Sequence, residues 1–259
     1  MQTTNPRKYG KPPYSVVLVH GGPGAAGEMK PVAKELSKEF GVLEPLQTKK
    51  SVNGQVEELK YQIKDNSKGS VILVGYSWGA WLVFILVSRY PELVKKLILV
   101  GAGPFEAQYV SEIMTTRLSR LDDKDKQEVG ELMKKIQDGD KSDKTLQEFG
   151  AILSKADSYK PIGQNDVSVD IQIDIYQKVW PEADNLRKTG KLLEYGKSIR
   201  CPVIVIHGDY DPHPFEGVKK PLLEVLENCK FILLRNCGHK PWTEKEAKNK
   251  FYDTLKKEL

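Results

Sequence analysis

Cysteine is scarce in this chain. The three present, Cys201, Cys229 and Cys237, are odd in number and show no C-x-x-C spacing, which argues against a disulfide framework or a cysteine-built zinc site. A reducing, cytoplasmic compartment is the expectation. Long apolar runs are missing too. The longest, residues 80–87, falls far short of the roughly 20 residues a membrane-spanning helix needs. The opening stretch MQTTNPRKYGKPPY is basic without an apolar centre, unlike a secretory signal, so the protein is expected to be soluble and unexported. Nor does one sign of charge dominate in blocks: 40 basic and 35 acidic residues, net +5, are interspersed. That describes a solvated surface, not a nucleic-acid stripe. Repeats and low-complexity tracts are absent.

What the chain does have is alternation. Its 259 residues, 39% hydrophobic, suffice for one large α/β domain carrying an insertion. Short β-branched runs at 16–20, 41–45, 71–75, 97–100, 203–207 and 231–234 predict strands. Helical spacing falls between them at 28–39, 54–64, 78–89, 216–226 and 243–257. Strands separated by crossover helices imply a parallel sheet of about six strands with helices on its faces. Residues 103–200 break the rhythm and are too long for a connection. Apolar residues at helical spacing, such as Tyr109, Val110, Ile113, Met114 and Leu118, predict a mainly helical cap there. The expected organisation is therefore core (1–102), cap (103–200) and core again (201–259). Val167, Val169, Ile171, Ile173 and Ile175 alternate like a strand, but a helix after Asp170 is preferred because Tyr176, Val179 and Trp180 extend a helical face. No pattern calls for a cofactor or metal.

The densest chemical signal is at 70–88. An apolar strand, SVILVG, meets an apolar helix, WGAWLVFILVS, across only Tyr76 and Ser77. Ser77, with Gly75 and Gly79 flanking it, fits a G-x-S-x-G elbow, in which a strained strand-to-helix turn exposes the serine oxygen above the sheet. The bland alternative is a serine capping a buried helix. A serine nucleophile needs a base and an orienting acid, and such elbows draw both from loops at the carboxyl ends of later strands, in the order serine, acid, histidine. Only four histidines are available. His239, in the loop after the last strand, suits the base. His20 and His207 end strands and are expected to hold loop backbone, and His213 lies in DPHP. Two acids, Asp209 and Asp211, follow the fifth strand in GDYDP; Asp211, deeper in the loop, is favoured, with Asp209 in reserve. The oxyanion of an acyl-transfer transition state needs two backbone donors. Trp78 after the nucleophile and Gly22 in the HGGPG loop at 20–24 are the candidates, since Pro23 has no N–H. That loop lacks the Lys-Ser/Thr of a phosphate-binding P-loop.

Taken together, HGGPG, GYSWG, GDYDPHP and CGHKPW resemble the α/β-hydrolase superfamily over nearly the whole chain from Val16, and HGGPG with a Trp-Gly elbow resembles its proline iminopeptidase branch. The resemblance implies a Ser77–His239–Asp211 triad with an oxyanion hole at Gly22 and Trp78. It also leads one to expect the family's first strands to be missing, because fifteen residues precede Val16. Such peptidases use cap carboxylates to hold the substrate's amine, for which Glu106, Asp157, Glu182 and Asp184 are available. The expected activity is hydrolysis of small carboxylic esters through an acyl-enzyme. An aminopeptidase on short peptides is the second reading, and a non-catalytic small-molecule-binding member of the fold the third.

Overall fold

Strands that are apolar on both faces can only sit between two layers of helices, and the sheet here does so. The computed structural model describes residues 4–140, 142–163 and 170–259. Strands β1 (Arg7–Tyr9), β2 (Tyr14–Val19), β4 (Gly41–Glu44), β5 (Val71–Tyr76), β6 (Val94–Val100), β8 (Val203–Gly208) and β9 (Cys229–Leu234) form one sheet in the order β1-β4-β2-β5-β6-β8-β9. Every pairing is parallel except β1 with β4. The sheet thus has seven strands where about six were expected, and the expectation that the leading strands are missing is corrected by β1. Three residues are too short for a periodic signal. What holds them is Glu44, whose buried Oε2 accepts from Tyr9 Oη at 2.7 Å and from Arg7 Nη1 at 3.5 Å.

Alternation along the strands sorts the core into two layers. Val17, Val19, Leu73, Leu97, Leu99, Val203 and Val205 face one way, against α2 (Val52–Asn66), α3 (Trp78–Arg89) and α9 (Glu216–Val225). Val16, Leu18, Ile72, Val74, Ile98, Val100, Ile204 and Ile206 face the other, against α1 (Lys30–Leu36) and α10 (Lys248–Glu258). From Trp78 through Val87, α3 is buried without a break, as a helix apolar all round must be. Truncating Phe84, which has no exposed surface, to alanine is expected to cost about 3–5 kcal/mol. The first and last helices are shorter than their sequence patterns, because 241–243 forms a separate 3-10 turn and Met29 precedes the first hydrogen-bonded turn of α1.

Between β6 and β8 the chain is mainly helical, with α4 (Ser111–Arg120), α5 (Asp123–Gln137), α6 (Asp143–Ala156), α7 (Ile173–Lys188) and α8 (Lys191–Glu194). Leu121, Val129, Leu132, Ile152, Leu153 and Ala156 form a small apolar cluster of their own. By contrast Ile175, Val179 and Ala183 of α7 join the main core. The preference for helix over strand holds from Ile173 onward. Val167 and Val169 lie outside the described residues, while the backbone of β7 (Asp170–Ile171) pairs antiparallel with β3 (Ala25–Ala26). Among the described residues no helix is long and apolar enough to cross a membrane.

Candidate active site

The chain turns from β5 into α3 at one residue, Ser77, with φ +52° and ψ −120°. It and Asn236 are the non-glycine residues with positive φ among those described. A non-glycine residue held there costs about 1–3 kcal/mol and persists only where its surroundings enforce it. They do: Ser77 N–H donates to Val100 O at 3.0 Å, and the turn is pressed between β2 and α3. A Cβ at Gly79 would strike the carbonyl oxygens of Val19 and His20, and one at Gly75 would strike Gly79 O, which explains both glycines sterically. Ser77 stays partly accessible and lines a cavity at the positive end of α3. Trp78 opens that helix, so its N–H has no partner within it. Its indole Nε1 is fixed by Gln55 Oε1 at 3.0 Å.

Opposite the hydroxyl lies His239. Ser77 Oγ is 3.1 Å from His239 Nε2, and His239 Nδ1 is 2.7 Å from Asp211 Oδ2. An ionised carboxylate can only accept, so Nδ1 carries the proton and Nε2 is left to accept from the serine hydroxyl. Burial pushes the Asp211 carboxyl up, yet the imidazoles of His239, His213 and His207 outweigh it and hold the group well below its ordinary value. For His239, burial opposes the charge, but Asp211 prevails and raises its pKa above the ordinary 6.5. Asp211 Oδ1 also accepts from His213 N at 2.9 Å and His213 Nδ1 at 2.7 Å. The His213 ring lies 4.6 Å from that of His239, and burial lowers its pKa. His213 thus joins the constellation although sequence reasoning gave it no part; the signal was available in its spacing, two residues from the favoured acid. Asp211, His213 and His239 offer donor atoms within 4.8 Å of one another that could hold a cation, at the cost of the protons both imidazoles now donate.

The reserve acid takes another place. Asp209 Oδ1 accepts from Cys237 N at 3.3 Å and its Oδ2 lies 3.6 Å from Arg235, so it shapes the loop rather than meeting the imidazole. His20 and His207 are fully buried strand-end residues. His20 Nδ1 lies 3.0 Å from Gly21 O while Nε2 accepts from Gln47 N at 3.2 Å. His207 contacts Gly208 O and Ala102 O, at 3.0 and 3.3 Å.

Several groups that hold the loops had no sequence signal. Glu28 Oε2 accepts from Gly21 N at 3.2 Å, and Oε1 pairs with Lys240 at 2.7 Å, tying the HGGPG loop to the residue after His239. A Cβ on Gly21 would sit 3.1 Å from Ser77 Cβ, so this loop passes directly against the serine, with Gly22 next along it at φ +107°. Glu244, fully buried, accepts from Gly238 N at 3.1 Å, Tyr159 N at 2.8 Å and Lys160 N at 2.7 Å. Tyr76 packs its ring 5.0 Å from that of His239 and 4.7 Å from that of Trp242, which accounts for a large residue within the elbow.

Beside Ser77 opens a cavity of about 230 Å³ walled by Trp78, Trp81, Met114 and Trp180, with Arg117 and Arg187 also lining it. None of the four acids considered for an amine lines it. Asp157 is held by Arg117 Nε and Nη2 at 2.7 and 2.8 Å. Glu182 accepts from Val52 N at 2.8 Å. Asp184 pairs with Arg187 and Lys188, and Glu106 accepts from Gln108 at 3.1 Å.

Sheet order, elbow and the placing of the later loops define a class, and the sequence agrees: the chain belongs to the α/β-hydrolase fold family, whose profile matches residues 50–245. No curated protein matches it. Among solved structures it is similar to VinJ, with 18% identity, TM-score 0.69 and coverage of 98% of this chain and 95% of that one. It is also similar to a monoacylglycerol lipase from Paleococcus ferrophilus, with 16% identity, TM-score 0.62 and coverage of 96% and 95%. A third is 2-hydroxy-6-oxo-6-phenylhexa-2,4-dienoate hydrolase from a Rhodococcus species, with 19% identity, TM-score 0.63 and coverage of 96% and 92%. At these identities the likeness is one of fold.

Proposed function

We propose that the protein is a serine hydrolase that cleaves small carboxylic esters through an acyl-enzyme on Ser77. The reading rests on one observation, the hydrogen-bonded run from Ser77 Oγ through His239 to a buried Asp211. Ser77 Oγ attacks the ester carbonyl carbon while its proton passes to His239 Nε2. Asp211 stabilises the imidazolium that forms. The carbonyl oxygen, now an anion, is held by the N–H groups of Trp78 and Gly22. The tetrahedral intermediate collapses, the C–O bond to the alcohol breaks, and His239 returns the proton to the leaving oxygen. Water then repeats the sequence on the acyl-serine, releasing the acid and restoring the hydroxyl. Residues 103–200 act as the cap over this site.

An aminopeptidase of the proline iminopeptidase kind would need an acid facing the bound amine. Among the described residues the cavity wall instead carries two arginines and no carboxylate, which favours the ester. Turnover of 4-nitrophenyl butyrate against proline 4-nitroanilide tests the choice, and a strong preference for the anilide would reverse it. A fluorophosphonate probe tests the class. Labelling of the wild type and not of Ser77→Ala is expected, whereas a folded wild type that stays unlabelled would favour a non-catalytic binding protein.

A further inference from the structure

The cavity beside Ser77 is lined by an arginine that is not fully satisfied among the described residues. Arg187 is 5% exposed and lines the cavity, yet its Nε is buried without a hydrogen-bond partner. Among the described residues its one ion pair, through Nη2, is with Asp184, and that carboxylate is shared with Lys188 Nζ at 2.6 Å. Two cations therefore divide one anion. The guanidinium lies 5.3 Å from the ring centroid of Trp81 and 5.9 Å from that of Trp180, and these two indoles stack on each other with centroids 5.9 Å apart, so the charge sits beside an aromatic pair. Arg117, on the same wall, brings a second guanidinium whose Nε and Nη2 are taken by Asp157. No acidic side chain lines the cavity among the described residues. A guanidinium keeps its charge even when buried, so two arginines and no carboxylate make this wall suited to an anion.

We propose that the cavity binds a carboxylate belonging to the substrate itself, with Arg187 as its anchor, so that the preferred esters are those of acids bearing a second, free carboxylate on the acyl side. This rests on the serine hydrolase reading for its chemistry but not for its anion site. The acyl carbonyl lies at Ser77 and the remote carboxylate meets the Arg187 guanidinium where that side chain lines the cavity, with the chain between them against Trp81 and Trp180. Planar guanidinium and planar carboxylate match in shape as well as charge. A substrate ammonium would meet two arginines instead.

The test compares mono-4-nitrophenyl glutarate with its methyl-capped diester, and glutarate with glutaramide as ligands of Ser77→Ala followed by tryptophan fluorescence. Wild type is expected to favour the free acid at least tenfold in kcat/KM. Arg187→Met should collapse that ratio to about twofold by raising KM for the acid, since the contact exists equally before and during reaction. Glutarate should quench saturably and glutaramide should not. Equal handling of the two esters, with brisk turnover of both, overturns the inference and leaves the hydrolase reading intact. No turnover of either, with selective binding of glutarate, sinks the hydrolase reading and keeps the anion site. If Arg187→Met does not fold, the wild-type ester ratio and the binding pair still decide.

Discussion

Replacing Asp211 by asparagine removes one charge and one acceptor at nearly constant volume, and the outcome can be worked from the contacts. The carboxylate serves three donors: His239 Nδ1 on Oδ2, and His213 Nδ1 and N on Oδ1. Asparagine has a single acceptor oxygen. If it faces His213, where two donors converge, its NH2 faces His239, whose Nδ1 must then become an acceptor. The proton moves to Nε2, which can no longer take one from Ser77. If the oxygen faces His239 instead, the tautomer survives but the imidazolium loses a counter-charge 2.7 Å away in a side chain with no exposed surface. Either way kcat is expected to fall by about 10³–10⁴, or roughly 4–5.5 kcal/mol of transition-state stabilisation. The assay is kcat for 4-nitrophenyl butyrate between about pH 5 and 9, with urea melts to show that Asp211→Asn folds. Asp209→Asn is the control. Its carboxylate holds Cys237 N and not the imidazole, so activity should stay within about threefold. Activity within tenfold of wild type for Asp211→Asn, in folded protein, would refute the assignment of Asp211 and with it the explanation of the His239 tautomer.

Three further outcomes are expected. At φ +52°, Ser77→Gly should be more stable than Ser77→Ala by about 1 kcal/mol in urea melts, because glycine alone adopts that conformation freely, while both lose at least about a thousandfold in kcat. As the proposed base, His239 can accept a proton only when neutral, and Asp211 raises its pKa above 6.5, so the rate should fall with acid through an apparent pKa above 6.5; a rate flat down to about pH 4 would remove His239 from that role. Cys237 is fully buried and its thiol is pushed far above the ordinary range, first by burial and then by nearby carboxylates, so iodoacetamide should leave activity unchanged over an hour, and stoichiometric loss of activity with alkylation at Cys237 would contradict the packing.

Legibility in the sequence followed the size of the signal each feature leaves. The central strands and α3 were readable because burial on both sides forces long apolar runs, and the elbow because a turn that tight admits little but glycine at residues 75 and 79. Chain order pointed to His239 and to the pair Asp209 and Asp211, and depth in the loop favoured Asp211. The first strand could not be seen, since three residues carry no period and its anchor, Glu44, lies 35 positions from Tyr9. The groups that brace the loops were silent for the same reason. Glu28 sits in an ordinary helical stretch and Glu244 in a charged one, and only the folded chain brings the first to Gly21 and the second to Gly238, Tyr159 and Lys160. The orphaned Nε of Arg187 is a three-dimensional fact with no linear trace.

The way the inserted segment is attached bears on how it works. Asp157 O accepts the backbone N–H of His239 at 2.8 Å, and Glu244 clasps 159–160 to the amide of Gly238 next to that histidine. Arg120 of α4 donates to Tyr210 O at 2.7 Å, next to Asp211. At the other side, Gln172 N donates to Gly24 O at 2.9 Å, and β7 continues that contact onto β3, just past the HGGPG loop. The loops carrying His239, Asp211 and Gly22 are each bonded to this segment, so it helps to hold the site in place. The backbone and side-chain bonds that hold the His239, Asp211 and Gly22 loops thus come from the same inserted segment that carries Arg187 and Arg117 on the cavity wall, and a change that loosens the inserted helices should reach the serine–imidazole distance as well as the shape of the cavity.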